Sequence, residues 1–221
     1  MSKPLVIFGL GEIAQLAYRY FTTDSAYDVI AFTADAAFVT AQLFCDRPVV
    51  AFDRLAEAYP PGRCELFIAV SYQGVNALRA SRYDAAKAMG YALASYVSSR
   101  ATVLNDHAIG DNCFILEDNT IQPFARIGND VTLWSGNHVG HHAVIGDHAF
   151  VASHVVISGG VRIGERCFIG VNATLRDHIE VGARCVVGAG ALLTEDAAPD
   201  GVYAATPSER SKVPSSRLRK L

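Results

Sequence analysis

A chain of 221 residues, 51% hydrophobic and 19% charged, carries enough apolar material for one large or two small domains and does not read as disordered. A formal net charge of -3 leaves no electrostatic footprint for nucleic acid, and the only basic run, SRLRKL at residues 216–221, reads as a solvated tail. No apolar stretch reaches the roughly 18 residues of a membrane span; with five cysteines lacking any CxxC pair and no signal peptide, a cytoplasmic protein with reduced thiols is expected.

The first element, PLVIFGLGEIAQLAYRYF, reads as a buried strand (Leu5 to Phe8), a tight turn and a helix. The helix places Ile13, Leu16, Ala17, Tyr20 and Phe21 at helical spacing. A second strand DVIAFTAD, a helix near FDRLAEAY, a third strand ELFIAVS and a helix GVNALRASRYDAAKAMG follow. This alternation predicts a small Rossmann-like α/β domain with a parallel sheet over residues 1–96. The turn carries Gly9-x-Gly11-x-x-Ala14, whose glycines let backbone N–H groups approach a phosphate at the positive end of the helix. Close packing without a ligand would use the same glycines. Asp35, 24 residues after Gly11, suits ribose hydroxyls, and Glu12, Asn76 and Arg79 join Gly9, Gly11 and Asp35 as candidate substrate contacts. The stretch is half the size of a usual dinucleotide fold, which argues against a hydride-transferring dehydrogenase.

From Ile109 to Leu193 every sixth residue is Ile, Leu or Val, fifteen times without exception, and Val97 and Val103 extend the phase backwards. Four positions later the residue is mostly small, as at Cys113, Ala125, Ala143, Ala149, Ala173, Cys185 and Ala191, so both sets are expected to face inward. Glycine directly follows the aliphatic residue in eight of the fifteen hexads, which suggests glycine corners. Short strands turning every six residues, with coils stacked about 4.8 Å apart, predict an all-β parallel β-helix over residues 97–196, with 197–221 as a closing segment and tail.

Four of the seven histidines, His138, His141, His142 and His148, fall within GNHVGHHAVIGDHAF. With Val139 inward, His141 and His142 fall at a corner or outer face. A metal site, a general base and a polar face all remain open for this cluster. His142, His148 and His154 recur every six residues, so within one subunit they lie on different faces and cannot converge on zinc; partners across an interface could. His107, His138, His148, His154 and His178, taken singly, read as solvated or interface residues.

The hexads resemble those of the left-handed β-helix acyltransferases, whose coils hold three hexads; the left hand comes from that resemblance. The order of parts is similar to the acetyltransferases of nucleotide-linked 4-amino-4,6-dideoxy sugars and to the sialic-acid O-acetyltransferase-like members of that superfamily. This resemblance covers nearly the whole chain. It implies that the α/β domain holds a nucleotide-linked amino sugar, that the β-helix binds acetyl-CoA, that no metal takes part and that the chain forms a homotrimer with CoA between subunits. VGHHAVIG resembles the family's V-x-H-[DE] segment, with His141 as the catalytic histidine and His142 where a carboxylate usually stands. Asp147, or an acid of a neighbouring subunit, is left to orient the imidazole. Gly159, one coil beyond His141, is the oxyanion-hole candidate. Coenzyme contacts fall to Gly170, Asn172, Gly188 and Gly190, and Tyr203 and Pro207 match the family's closing segment. The implied activity is acetyl-CoA-dependent N-acetylation for bacterial surface glycan synthesis, by direct transfer to an amine whose proton an imidazole removes. O-acetylation of a sugar hydroxyl, or a non-catalytic or metal-binding β-helix, are the alternatives.

Overall fold

The computed structural model describes residues 2–210 and 212–217, so residues 218–221 of the basic tail lie outside the described residues. Its first part contains β1 (Lys3–Phe8), α1 (Glu12–Thr23), β2 (Tyr27–Ala34), β3 (Leu43–Phe44), β4 (Arg47–Ala51), α2 (Leu55–Ala58), β5 (Glu65–Ile68) and α3 (Ala77–Ala88). The sheet order is β3-β4-β2-β1-β5, parallel except for the β3–β4 pair. β1 alternates between two cores. Leu5 and Ile7 pack with Phe21, Phe32 and Phe67, while Val6 and Phe8 pack with Phe52, Leu55 and Ile68, as a strand covered on both faces must. The β3–β4 hairpin is absent from the sequence expectation. Its turn is Cys45-Asp46, both at positive φ (49° and 58°), a conformation usually announced by Asn-Gly.

The second part is a three-sided prism. Sixteen two-residue strands, from Tyr96–Val97 to Leu192–Leu193, stack into three parallel sheets. Each pairs with the strand one coil on, as in Thr132↔Phe150, His138↔Val156 and Val144↔Arg162. The pairing runs past the expected end at 196, because Val202–Tyr203 adds a strand beside Val186–Val187. Both inward sets behave as the period requires: Ile115, Val139, Ile157 and Val187 fill the interior beside Cys113, Ala143, Ala173 and Cys185.

The corners correct one expectation. The left-handed backbone position is three residues after each aliphatic one, and all fourteen from Asn112 to Gly190 have φ between 52° and 79°. Asn, Asp, His and Arg fill most of these positions, glycine only three. The hexad glycines are not corner residues and have another cause. A Cβ on Gly140 would stand 2.6 Å from the backbone N of Gly159, and one on Gly146 would stand 2.8 Å from that of Glu165. Glycine is used there because adjacent coils nearly touch.

The seven-stranded face is covered by the α/β domain. Its outward residues Tyr96, Phe114 and Phe150 are buried, Tyr20 packs on Tyr96 and Phe114, and Tyr72 packs on Phe150 and Phe168. The other two faces are uncovered. One carries the outward row Arg126, Val144, Arg162 and Glu180; the other carries Thr102, Thr120, His138, Val156, Thr174 and Leu192. Among the described residues, no helix is long and apolar enough to cross a membrane.

Candidate active site

His141 and His142 turn the corner between the two uncovered faces, between strands His138–Val139 and Val144–Ile145. Both are exposed. At every corner the amide two residues after the aliphatic one lacks a partner in the parallel ladders, so side chains satisfy it where they can. Asn129 serves Asp111, Asp147 serves Asn129 at 2.7 Å, and Gln122 Oε1 accepts from the His141 N–H at 2.8 Å. Gln122 occupies a slot that is glycine in eight hexads, which is the signal that could have marked it. One coil on, the Gly159 N–H has no acceptor among the described residues.

The His141 ring lies over that glycine. A Cβ on Gly159 would come within 2.7 Å of His141 Nε2, so any side chain there would push the imidazole aside. His141 Nδ1 stands 3.1 Å from His142 Nδ1, and the His142 ring packs on Phe124 at 4.7 Å between centroids. The site therefore offers an imidazole with its Nε2 beside an unused backbone N–H, the two groups an acyl transfer needs. Asp147 does not orient His141: its carboxylate is engaged by the Asn129 amide on a different corner of the prism. Among the described residues, no three His, Cys, Asp or Glu side chains gather as metal ligands.

The second concavity is in the α/β domain, a cleft of about 440 Å³ at the C-terminal ends of β1 and β2. Gly9, Gly11 and Asp35 line it together with Leu10, Phe38, Thr40, Leu43 and Leu78. Gly9 and Gly11 play different parts. Gly9 has φ 126° and a Cβ there would meet the Ala69 carbonyl oxygen at 2.6 Å, which makes it a packing glycine; Gly11 has nothing within 4 Å of its added Cβ and opens into the cleft. It precedes α1, whose first-turn amides lack a side-chain cap and point their positive end at the cleft. Asp35 is held by Arg82, at 2.8 Å, a partner the sequence did not single out. Glu12 is exposed on the first turn of α1 and does not line the cleft.

Asn76 and Arg79 move from the substrate contacts to the domain junction. Asn76 is fully buried and donates to the carbonyls of Arg166 and Cys167 at 3.0 and 3.1 Å. Arg79, 1% exposed, pairs with buried Asp130 at 3.0 Å and donates to the carbonyls of Asp130, His148 and Ala149. His148 Nδ1 also meets Asp130, at 2.9 Å. Nearby, burial and then the hydrogen-bonded Asp111 carboxylate push the Tyr83 hydroxyl well above its ordinary range.

The coenzyme candidates sit elsewhere again. Gly170, Asn172, Gly188 and Gly190 are on the corner between the seven-stranded and six-stranded faces, one edge away from His141. A Cβ on Gly170 would meet the Ala189 amide at 2.6 Å, so that glycine answers to coil stacking, while Gly190 is a left-handed corner open to solvent. Within one chain the structure thus leaves three features apart: His141 on one edge, these glycines on another, and the cleft in a domain docked against the opposite face. Among the described residues, no hydrogen bond, ion pair or ring contact joins the α/β domain to the His141 edge.

Comparison with known proteins fits this geometry. Two family models match the prism: the bacterial transferase hexapeptide of six repeats over residues 124–159, and the hexapeptide repeat of succinyl-transferase over residues 160–195. Among curated proteins, none matches the chain. Solved structures match along nearly its full length. The acetyltransferase domain of PglB from Neisseria gonorrhoeae, in complex with acetyl coenzyme A, is 25% identical with a TM-score of 0.82, covering 95% of this chain and 99% of that one. PerB from Caulobacter crescentus, in complex with CoA and GDP-perosamine, is 25% identical with a TM-score of 0.82, covering 93% and 96%. WeeI from Acinetobacter baumannii, 18% identical with a TM-score of 0.79 over 94% and 99%, shares the fold. The protein is an acetyltransferase of the hexapeptide-repeat, left-handed β-helix class. The match to these structures spans the α/β domain and the prism together, so the chain is similar to them along nearly its whole length.

Proposed function

We propose that the protein transfers the acetyl group of acetyl-CoA to the amine of a nucleotide-linked 4-amino-4,6-dideoxy sugar, in the cytoplasm, for a bacterial surface glycan. The observation that carries this reading is the whole-chain likeness to PerB with CoA and GDP-perosamine bound, combined with a base-bearing edge and a separate cleft suited to a nucleotide. The cleft would take the nucleotide, with its phosphates at the Gly11 end of α1 and a ribose hydroxyl on Asp35. At the His141 edge the amine nitrogen attacks the thioester carbonyl and the Gly159 N–H steadies the oxyanion. A C–N bond forms and the C–S bond breaks. His141 Nε2 takes the proton that the nitrogen sheds, and the departing thiolate accepts one.

The separation of these features within one chain supports a homotrimer. The α/β domain covers the face opposite the His141 edge, so a sugar held in one subunit's cleft reaches an imidazole more directly on a neighbour. The outward row of Thr102, Thr120, His138, Val156, Thr174 and Leu192, which contains no Asp, Glu, Lys or Arg, is the face suited to packing against a copy. Coenzyme contacts at Gly170, Asn172, Gly188 and Gly190 belong to the same reading, since they border that row.

The test is steady-state kinetics with acetyl-CoA and nucleotide-linked amino sugars. His141→Ala is expected to lower kcat by about 10² to 10⁴ with small changes in either KM, because the lost group acts on proton transfer. More than half of the wild-type rate in that variant would remove His141 from the base role. An acceptor series in which only sugars lacking the amine are acetylated would turn the reading into O-acetylation.

A further inference from the structure

The segment that resembles the family's V-x-H-[DE] has an imidazole where a carboxylate usually stands, and the geometry shows what that imidazole does. We propose that His142 is a positioning residue: as a neutral acceptor through Nδ1 it fixes His141 in the tautomer that keeps Nε2 free of a proton. The inference rests on His141 being the base.

The two Nδ1 atoms stand 3.1 Å apart, so one proton lies between them. If His142 donated that proton, neutral His141 would carry its own on Nε2, the nitrogen over Gly159, and could take nothing from an amine. If His141 donates, its Nε2 presents a lone pair to the site and His142 carries its proton on Nε2 instead. Only the second arrangement gives a base. Among the described residues no carboxylate bonds to either ring. The pocket around His142, about 520 Å³, is lined by His107, Phe124, Arg126, Val144 and Arg162, and Asp147 is bound on another corner.

His142 is held for this task. Its backbone is in the left-handed corner conformation at φ 60°, its N–H donates to the Pro123 carbonyl at 3.3 Å, and its ring stacks on Phe124. His141 is held independently, by Gln122 at its amide and by Gly159 beneath its ring. Two separately anchored rings meeting nitrogen to nitrogen hold two tautomer pairs open, and the base role of His141 selects the one in which His142 accepts. A chemical consequence follows for the acceptor. Among the described residues no carboxylate stands beside His141, so the imidazolium formed there passes its proton on, to the thiolate that leaves in the same turnover. That arrangement suits an amine, which sheds its proton after attack, better than a hydroxyl, which must lose its proton during attack.

The experiment is long-range nitrogen–proton NMR on the full chain labelled with 15N-histidine, at a pH where free imidazoles are neutral. Wild-type His141 is expected as the Nδ1–H tautomer, and His142→Asp, which keeps an acceptor, as the same. His142→Phe keeps a ring on Phe124 but no acceptor, so His141 should revert to the Nε2–H form that free histidine favours. In turnover with an amine-bearing nucleotide sugar, His142→Phe should lower kcat by about 10- to 100-fold with KM within about twofold, and His142→Asp should recover most of the loss. A wild-type His141 carrying its proton on Nε2 overturns the proposal; that measurement needs no variant to fold. A His142→Phe enzyme with wild-type kcat also overturns it. Should His141→Ala stay active, the base reading itself fails; should His141→Ala be dead while His142→Phe is unimpaired, only the role given to His142 fails.

Discussion

The prism and the α/β domain are stabilised on different length scales. Each coil of the prism contacts chiefly the coil before and after it, through parallel ladders and corner bonds such as Gly160 N–H to the His141 carbonyl at 2.8 Å. The α/β domain has one twisted sheet, two cores, and a polar junction that reaches from α3 to residues 51 to 91 positions further along. A repeat whose stability is roughly a sum of neighbour terms can lose one contact and keep the rest. A junction centred on one buried ion pair is far less tolerant of losing either partner. His141, the proposed base, is on the additive region and the cleft is on the cooperative one, so damage to each should show in different observables.

The sharpest way to break this comparison is Arg79→Ala. Arg79 and Asp130 have side-chain exposures of 2% and 1%, and removing one partner of a buried pair costs about 3–5 kcal/mol because the other charge is left uncompensated. The expected outcome is a lower first denaturation midpoint with the α/β domain separating, while the β-sheet circular dichroism of the prism persists to a second transition. A loss under about 1 kcal/mol, or one shared transition, would show that the domains are not joined as argued.

Smaller, and aimed at the prism, is Gly146→Ala against Gly11→Ala. The added methyl at 146 would stand 2.8 Å from the neighbouring coil's backbone, which has no flexible end to yield. Overpacking of that kind costs about 1–3 kcal/mol. At 11 the methyl meets nothing within 4 Å, and φ there is -106°, so stability should change by less than about 0.5 kcal/mol. Equal melting shifts for the two variants would refute the stacking account of the hexad glycines.

That account was not legible in the sequence. The period announced the inward residues, because a six-residue aliphatic rhythm with small partners has one packing solution, and Ile157 and Ala143 are where it placed them. It could not say which slot bends. A corner and a coil contact both favour glycine, and only the backbone shows that His142 and Asn172 bend while Gly140 and Gly170 stack. The cleft glycines were legible for a similar reason, since strand, turn and helix are local. Arg79 and Asn76 were misplaced because their partners Asp130, Arg166 and Cys167 are far along the chain. Arg82 was missed because it matters through one contact that no spacing reveals, whereas Gln122 was marked only as an exception at the glycine slot.

Gly11→Val turns the comparison toward ligands. Its side chain would enter the cleft rather than the core, so weaker binding of a nucleotide sugar, by tenfold or about 1.4 kcal/mol, should accompany near-normal stability. Affinity for CoA, whose proposed contacts are on the prism, should stay within about twofold. Calorimetry reporting an equal loss of both ligands, with the melt unchanged, would unseat the division of labour.

The smallest effect separates the regions by alkaline titration. Burial pushes the Cys113 and Cys167 thiols of the prism up to about 12, and burial likewise raises the Tyr91 and Tyr96 hydroxyls of the α/β domain and its junction to about 12. A group whose folded value is raised keeps its proton longer in the native state than in the unfolded chain. Its contribution is therefore complete below the unfolded value and is lost as pH climbs toward the folded one. Unfolded thiols titrate near 8.5 and unfolded phenols near 10, so the thiol-dependent weakening, to which burial of Cys64 in the α/β domain also contributes, should begin about one pH unit before the tyrosine-dependent fall. Each such group adds at most about 1.4 kcal/mol of lost stability per pH unit within its window. Cys113→Ala keeps a small inward residue, as Ala143 does at the matching slot, and should flatten the decline between about pH 9 and 10 without altering the later, tyrosine-dependent fall. Denaturation midpoints measured at half-unit steps decide it: an unchanged slope between pH 9 and 10 in that variant would mean that the buried thiols do not set the alkaline limit of the prism.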